Sequence, residues 1–349
     1  MVVGMNVEAR PGQFVPDVLV PSAVFAETVD EQHGRPWRTG RWIRRPLSGG
    51  QDESVAGWRG GQGGRHARRV PRYDPQMPTW RELGDRVFVR RYRFFNQNIG
   101  VVLGDGGSDD PGVLVVDTRT TPRHAEEIRT DLRELTRAPV SVVVDTHGHS
   151  DHCFGNSIFR PATIWGHVRC AAMLTATGER QRAGLIEAFP EMAADLRSLV
   201  IDPPDRTFEE RVTLSLAGRP LDLRYLGRGH TDNDIVVMPF GAAVVFAGDL
   251  LENGATPFFG DGFPLDWPST VETLLGLIDG IVVPGHGTHA GKEFAASQLA
   301  GFTALADLAG RVQRGELTFE DAVATSPYPA AASRQPLERA LAQLRGDLD

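Results

Sequence analysis

Residues 145–153 read D-T-H-G-H-S-D-H-C and place three histidines and one aspartate within six positions. The four side chains are His147, His149, Asp151 and His152. A regular strand or helix of that length cannot bury three imidazoles and a carboxylate without partners for them. Neutral imidazole and carboxylate are ligands that suit divalent first-row metals. The stretch therefore predicts a metal site in the loop after an apolar strand.

Three later segments carry the same chemistry, each with a glycine beside the candidate ligand. They read G-R-G-H-T-D-N-D around His230, F-A-G-D-L around Asp249 and V-P-G-H-G around His286. Glycine and proline let the backbone turn a side chain into a common cleft, and loops at strand ends usually carry the chemistry of such folds. The four segments together offer five His and two Asp, which is enough for two metal ions.

The composition limits the class of protein. The chain has 349 residues, of which 41% are hydrophobic, so it can bury a large core in one or two domains. A net charge of −8 argues against a nucleic-acid-binding surface over the whole molecule. We find neither a run of 18 apolar residues nor the order of a signal peptide, and expect no membrane partner. Cys153 and Cys170 are too few for a disulfide scaffold, which predicts a cytoplasmic location.

Residues 1–76 differ in composition from the rest of the chain. Between His33 and Asp74, ten arginines accompany three acidic residues without apolar periodicity. Such a sequence cannot bury enough surface to offset its ordering entropy, so we predict a disordered Arg/Gly-rich extension. An arm that binds nucleic acid is the functional alternative. Translation that begins at Met77 would remove the segment from the native protein.

From Trp80 onward the chain alternates strand and helix patterns. Strands are predicted at residues 87–92, 98–105, 112–118, 140–147, 163–166, 212–217, 221–226, 235–247 and 281–284. Helices are predicted at residues 121–137, 168–177, 180–199 and 269–277, and over most of the chain beyond residue 289. This order indicates the α/β class, with two mixed β-sheets packed together and helices outside. A dinucleotide-binding βαβ fold is the alternative, but no G-x-G-x-x-G follows a strand.

The ordered ligand motifs resemble those of the metallo-β-lactamase superfamily. H-x-H-x-D-H, G-x-G-H-T, G-D and P-G-H-G occur in this order within residues 87–288. The resemblance implies an αββα sandwich over residues 77–290, with the site at one edge of the two sheets. Residues 291–349 would form a C-terminal helical segment packed on this domain. The implied ligands are His147, His149 and His230 for one ion, Asp151, His152 and His286 for the other, and Asp249 as a bridge between them.

Asp249 stands where the zinc β-lactamases with a Cys ligand have that cysteine, so the sequence looks closer to the glyoxalase II and lactonase branches. The resemblance implies a dinuclear hydrolase that acts on an ester, thioester, lactone or related bond of a small molecule. Two ions roughly 3.5–4 Å apart would generate a bridging hydroxide at neutral pH, and Asp151 would orient it as a catalytic residue. Zn is the expected metal, with Fe or Mn as alternatives.

Two other activities are compatible with the same ligands. One is an iron-dependent sulfur dioxygenase or related oxidoreductase, and the other is an RNA-processing nuclease. Residues 1–76 contain eleven Arg and eight acidic residues, so the remainder carries a charge of −11 (−8 minus +3), which disfavours the nuclease. The C-terminal helices lack a recognisable basic cluster for glutathione. We expect them to cover the sandwich or to support a homodimer.

The segment N-G-A-T-P-F-F-G-D-G-F-P-L-D-W, residues 253–267, is rich in glycine and aromatic residues. It lies between Asp249 and His286, so we expect it to line a substrate pocket. The candidate substrate-binding residues, some of them outside this segment, are Trp165, Arg228, Phe258, Phe259, Phe263 and Trp267. Arg228 is a candidate for contact with a substrate carboxylate. His124 lies on an amphipathic helix, and we expect solvent to surround it.

Overall fold

The computed structural model describes residues 79–106 and 112–348, together with two short strands nearer the N-terminus. These are β1 (Val29–Asp30) and β2 (Arg35–Pro36), which pair antiparallel. The rest of residues 1–76 and the proposed start at Met77 lie outside the described residues. The predicted extension therefore stays a prediction.

Twelve further strands in the described part of the chain form one continuous hydrogen-bonded sheet. They are β3 (Arg81–Gly84), β4 (Val87–Tyr92), β5 (Gln97–Leu103), β6 (Val113–Val116), β7 (Val142–Val144), β8 (Thr163–His167), β9 (Arg206–Phe208), β10 (Arg211–Leu216), β11 (Arg219–Tyr225), β12 (Ile235–Pro239), β13 (Val244–Glu252) and β14 (Ile281–His286). Their order is β10-β11-β12-β13-β14-β5-β6-β7-β8-β9, with β4 also paired to β5 and β3 to β4.

This sheet consists of two halves that face each other. We call β3–β9 the N-terminal half-sheet and β10–β14 the C-terminal half-sheet. A single residue pair, His286 with Gln97, joins them along the backbone ladder. Buried side chains from both halves, such as Leu114 and Phe246, form one apolar layer between them. Each half contains parallel and antiparallel pairs, which confirms the predicted α/β fold with two mixed layers.

Eight α-helices lie within the described residues. They are α1 (Pro122–Asp131), α2 (Ser150–Cys153), α3 (Val168–Ala188), α4 (Ala193–Ser198), α5 (Trp267–Leu275), α6 (Lys292–Gln313), α7 (Phe319–Thr325) and α8 (Ala330–Leu344). Helix α1 packs on the outer face of the N-terminal half-sheet, whereas α5–α8 pack on that of the C-terminal half-sheet. The layers therefore follow the order helix, sheet, sheet, helix. None of the described helices has the length and apolar character needed to cross a membrane.

Local sequence explains several boundaries. Thr121 caps α1 by accepting the backbone N–H of His124 at 3.2 Å, and Pro122 occupies the first helical position. The strand predicted at residues 235–247 is divided into β12 and β13 by a turn that includes Gly241, whose φ of 77° suits glycine. Strands β3 and β9 escape prediction because they are short and largely exposed.

The prediction that solvent surrounds His124 is wrong. Its residue surface is only 5% exposed. The imidazole lies 4.9 Å from the ring of Phe94, and the Arg119 guanidinium donates a hydrogen bond to the His124 carbonyl oxygen. The helix pattern places His124 on a polar face, but residues from neighbouring loops cover that face.

Candidate metal centre

The seven predicted ligands converge from four segments of the two half-sheets. The loop after β7 and the short helix α2 carry the ligands of residues 147–152. His230 lies in the loop between β11 and β12, Asp249 lies within β13, and His286 ends β14. Six of the seven residues are buried, and the side chain of His149 is 14% exposed. The structure thus forms one cleft from segments far apart in sequence.

Three imidazoles form the first metal group: His147, His149 and His230. The Nδ1 atom of His149 lies 3.0 Å from Nε2 of His147 and 2.8 Å from Nε2 of His230. His149 therefore points its Nδ1 atom at the other two rings, whereas His147 and His230 point their Nε2 atoms at His149. These three nitrogens are close enough to share one ion.

The second metal group contains Asp151, His152 and His286. Nε2 of His152 lies 3.3 Å from Nε2 of His286. Oδ2 of Asp151 lies 3.3 Å from Nε2 of His286 and 3.5 Å from Nε2 of His152. Helix α2 brings Asp151 and His152 to His286, so that one short motif supplies residues to both groups.

Asp249 contacts both groups. Its Oδ2 lies 3.5 Å from Nε2 of His230 and 3.2 Å from Nε2 of His286, while its Oδ1 lies 3.4 Å from Nε2 of His152. Oδ1 is buried and makes no hydrogen bond within the described residues. Gly285 is required beside it, because a Cβ atom there would overlap Asp249 Oδ1. The carboxylate thus lies between the first and the second group.

Backbone carbonyls fix the tautomers of two imidazoles. Nδ1 of His230 lies 3.0 Å from the carbonyl oxygen of Phe258, and Nδ1 of His286 lies 2.7 Å from that of Phe95. A carbonyl oxygen only accepts hydrogen bonds, so each Nδ1 carries the hydrogen. In the neutral ring, Nε2 then presents a lone pair to the cleft.

Side chains hold the outer nitrogens of the other rings. Nδ1 of His152 lies 2.8 Å from Oδ2 of Asp117, and Nε2 of His149 lies 3.0 and 3.1 Å from the two oxygens of Asp261. A third contact joins Nδ1 of His147 to Oγ1 of Thr146 at 3.2 Å. Such outer hydrogen bonds orient metal-binding histidines and increase their basicity.

This donor set fits divalent metal ions. With the outer nitrogens protonated, neutral rings would direct lone pairs at one another across 2.8 Å between His149 and His230. Two such lone pairs repel unless a cation or a proton lies between them. The unpaired Oδ1 of Asp249 and a second carboxylate, Asp151, add the negative charge that a dication would neutralise.

Burial and neighbouring charges separate the pKa values of these groups. Burial lowers the pKa of His230 to about 4, and that of His147 well below its usual range. Burial also opposes the charge on His149, but Asp261 and other nearby carboxylates raise its pKa to about 9. Burial would raise the pKa of Asp249, yet the charges of His286 and His152 hold it well below its usual value. The site thus concentrates opposite charges in a buried volume.

Three acidic residues at the site were not among the predicted site residues. Asp117 follows β6, which runs parallel to β7, so its position at a strand end was a usable signal. Asp261 lies in the glycine-rich segment, and nothing in that pattern distinguishes it from an ordinary loop residue. Glu252 is buried, and its Oε1 lies 3.9 Å from Nδ1 of His230. Burial and the neighbouring Asp249 raise the pKa of Glu252 to about 8.

Among the predicted pocket aromatics, Phe258 contacts the metal groups. Its ring centre lies 6.4 Å from that of His149 and 6.0 Å from that of His230. Phe259 and Trp267 are two further residues that we predict for the pocket wall. Both are fully buried in the core beneath α5 and α6, where each ring packs on Phe302. An irregular loop has no period to show which of its rings face the core.

The other predicted substrate contacts are also occupied by internal packing. Trp165 packs against the apolar layer between the half-sheets. Arg228 forms an ion pair with Asp266 at 2.7 Å, and its guanidinium lies 4.4 Å from the ring centre of Phe263. Phe263 is itself only 6% exposed. Arg228 and Phe263 thus pack within or against the segment of residues 253–267, and Trp165 packs between the half-sheets.

Known proteins are similar to this chain in sequence. A metallo-beta-lactamase type 2 from Bacteroides fragilis is 26% identical over 220 residues, which cover 61% of this chain and 80% of that protein. The alpha subunit of 2,4-dinitroanisole O-demethylase from Nocardioides sp. (strain JS1661) is 28% identical over 182 residues. That match covers 51% of this chain and 50% of the subunit, so the chain spans about half the length of this relative.

Solved structures share the fold. A metallo-beta-lactamase from Pontibacter korlensis superposes with a TM-score of 0.51 and 20% identity, covering 64% of this chain and 98% of that one. A stereoselective inverting sec-alkylsulfatase from Pseudomonas sp. gives a TM-score of 0.59 and 15% identity, covering 76% and 50%. The sequence model of the family described as the Metallo-beta-lactamase superfamily matches residues 92–286, more than half of the chain. The predicted family is confirmed: this chain belongs to the metallo-beta-lactamase superfamily.

Proposed function

We propose that this chain is a hydrolase that uses two divalent metal ions to cleave an ester, thioester, lactone or related bond in a small molecule. One observation carries the proposal. Carbonyl acceptors hold the outer nitrogens of His230 and His286, so the inner nitrogens of both rings present lone pairs towards Asp249. A buried cleft of lone pairs and carboxylates is the arrangement that a pair of cations would stabilise.

In this proposal the first group holds one ion, the second group holds the other, and Asp249 contacts both. When bound, the ions supply water of lowered pKa and neutralise negative charge that develops on the reacting group. Zn is the metal we expect, and the same donors suit Fe or Mn. The alternative activity named in the sequence analysis, an iron-dependent oxidation, would use the same ligand residues with a different metal.

The residues of the chain have distinct proposed roles. When it is ionised, the Asp151 carboxylate accepts hydrogen bonds and donates none, and it lies in the second group. We assign it, besides its place in the second group, the role of orienting the attacking water. The half-buried ring of Phe258, beside His149 and His230, would pack against the apolar part of a substrate.

A second candidate reaction is cleavage of an aryl methyl ether. The observation that favours it is the 28% identity to the 2,4-dinitroanisole O-demethylase subunit over 182 residues. That subunit is about twice as long as the segment it shares with this chain, so the ether is one substrate to test rather than the leading one.

The test is a panel assay on metal-loaded protein. The substrates are thioesters, lactones, aryl esters, an aryl methyl ether and a β-lactam, each with the wild type and with His147→Ala and Asp249→Ala. We expect kcat/KM for the best substrate to fall by more than about a hundredfold in both variants, because each removes charge stabilisation at the reacting group. Asp195→Ala, which removes a solvent-exposed partner of Arg123, is the matched control. Unchanged activity in both site variants would refute the proposal.

A further inference from the structure

We infer that the C-terminal helix α8 positions the first metal group by holding the loop of residues 253–266, and that Arg339 is the principal positioning residue. The inference rests on the proposed function, because it concerns how tightly the first group holds its ion. It adds a role for a helix that lies beyond the family match, which ends at residue 286.

The loop contacts two of the three imidazoles of the first group. The Asp261 carboxylate accepts a hydrogen bond from Nε2 of His149, and the Phe258 carbonyl accepts one from Nδ1 of His230. The loop also lies directly on the segment that carries His230, since the Phe263 N–H donates to the carbonyl of Gly229 at 2.7 Å. A displacement of the loop would therefore move the outer hydrogen-bond partners of both rings.

Helix α8 holds this loop with three polar side chains at four-residue spacing. Gln335, Arg339 and Gln343 share one face of the helix because side chains four residues apart lie above one another. Gln335 Nε2 donates to the Gly260 carbonyl at 3.2 Å, and the Leu265 N–H donates to Oε1 of Gln343 at 2.9 Å. Gln335 and Gln343 thus contact the loop on either side of Asp261.

Arg339 makes the central contacts. Its guanidinium donates to the carbonyl of Asp261 at 2.6 Å and to the carbonyl of Gly262. A planar guanidinium can hold two successive carbonyls in fixed directions, which a lysine ammonium cannot do. Asp261 is thus fixed through its backbone by Arg339 and contacts His149 through its side chain.

Helix α8 is itself packed into the core. Leu337 and Ala340, on its other face, are fully buried in the core that α8 shares with α6. The Asp261 side chain, in contrast, is 29% exposed and pairs with His149. The hydrogen bond from Arg339 to the Asp261 carbonyl therefore links the position of Asp261 to α8.

The test compares metal binding in Arg339→Met, Arg339→Lys and Asp261→Asn. Arg334→Met is the matched control, since Arg334 lies in the same helix but pairs with Glu320 on α7. Zn²⁺ affinity is measured by competition with a chromophoric chelator, and the visible absorption of the Co²⁺-substituted protein reports ligand geometry. Thermal melting of the metal-free variants checks that each one folds.

We expect Arg339→Met to lower the affinity for one of the two ions about tenfold or more. This is the range seen when the hydrogen-bond partners of metal ligands are removed. The Co²⁺ absorption should change with it, and Arg339→Lys should fall between wild type and Arg339→Met. Combining Arg339→Met with Asp261→Asn should add little to Asp261→Asn alone, because both act through one contact.

Zn²⁺ affinity in Arg339→Met equal to that in Arg334→Met would overturn the inference. If Arg339→Met does not fold, Arg339→Lys with the Asp261→Asn comparison decides the question in the same way. A different result would contradict the proposed function. In that case the wild type would bind two ions and the variants would differ in Zn²⁺ affinity as expected, but no substrate of the panel would be hydrolysed.

Discussion

His230 and His286 show how one backbone hydrogen bond selects the chemistry of a side chain. Each donates from Nδ1 to a carbonyl, of Phe258 and Phe95 respectively, and so presents Nε2 to the cleft. His149 is reversed, because Asp261 holds its Nε2 and leaves Nδ1 facing the group. The residue type alone does not fix the direction of the lone pair; the acceptor behind the ring does.

Gly285 permits the position of Asp249. A Gly285→Ala substitution would place a Cβ atom against Asp249 Oδ1, and the carboxylate would have to move. We predict that metal affinity falls by at least about tenfold, as for other disturbed metal ligands, measured by chelator competition. Gly291→Ala is the control, because its Cβ would meet only the end of the flexible Glu293 side chain. Equal losses in the two variants would contradict the assigned role of Gly285.

His124 makes the stability of the fold depend on pH. Burial, together with the charges of Arg119 and Arg123, lowers its pKa from 6.5 to about 3. The unfolded chain therefore binds one more proton than the folded chain between these values, so stability is complete above about pH 6.5 and declines as the pH falls. Between pH 7 and pH 5 the wild type should lose about 2 kcal/mol more than His124→Leu.

Urea denaturation at several pH values, with metal absent from both proteins, measures this difference. The Phe94 ring and the two arginines are the groups that face the imidazole, and they remain in the variant. Parallel pH profiles for the two proteins would show that His124 does not titrate on unfolding.

The convergence of the seven predicted ligands could be expected from the sequence because most of them lie near the end of an apolar strand and close to a glycine. Asp249 and His286 lie in neighbouring parallel strands β13 and β14, and such strands bring their carboxyl ends to one edge. Contacts that depend on irregular backbone were not predictable. Phe258 and Phe259 are adjacent, yet one contacts the metal groups and the other lies in the core. Strand order and the join at Gln97 likewise depend on long-range pairing.

The core beneath α5 and α6 supports the site from behind. Phe302 of α6 is fully buried and stacks on Trp267 with ring centres 4.5 Å apart, and Trp267 lies 5.8 Å from the ring of His230. Phe302→Ala should lower the free energy of unfolding by about 3–5 kcal/mol through loss of burial and creation of a cavity. Phe240→Ala, at a 49% exposed position, should change it by no more than about 0.5 kcal/mol. Chemical denaturation of both variants distinguishes these outcomes, and similar values would contradict the packing described.

At the scale of the whole molecule, the candidate centre lies across the two half-sheets. The first group takes His147 and His149 from the N-terminal half and His230 from the C-terminal half. The second group takes Asp151 and His152 from one half and His286 from the other. Bound ions would therefore connect the two halves at the point where a single residue pair joins their backbones.

We propose above that the cleft holds two metal ions with Asp249 between them. Equilibrium dialysis of the full chain against Zn²⁺, followed by elemental analysis, tests it most directly. We predict two ions per chain for the wild type and a loss of at least one in Asp249→Asn, with Asp195→Asn unchanged. A wild-type chain that binds fewer than two ions at saturation, or an Asp249→Asn variant that still binds two with wild-type affinity, would contradict the account.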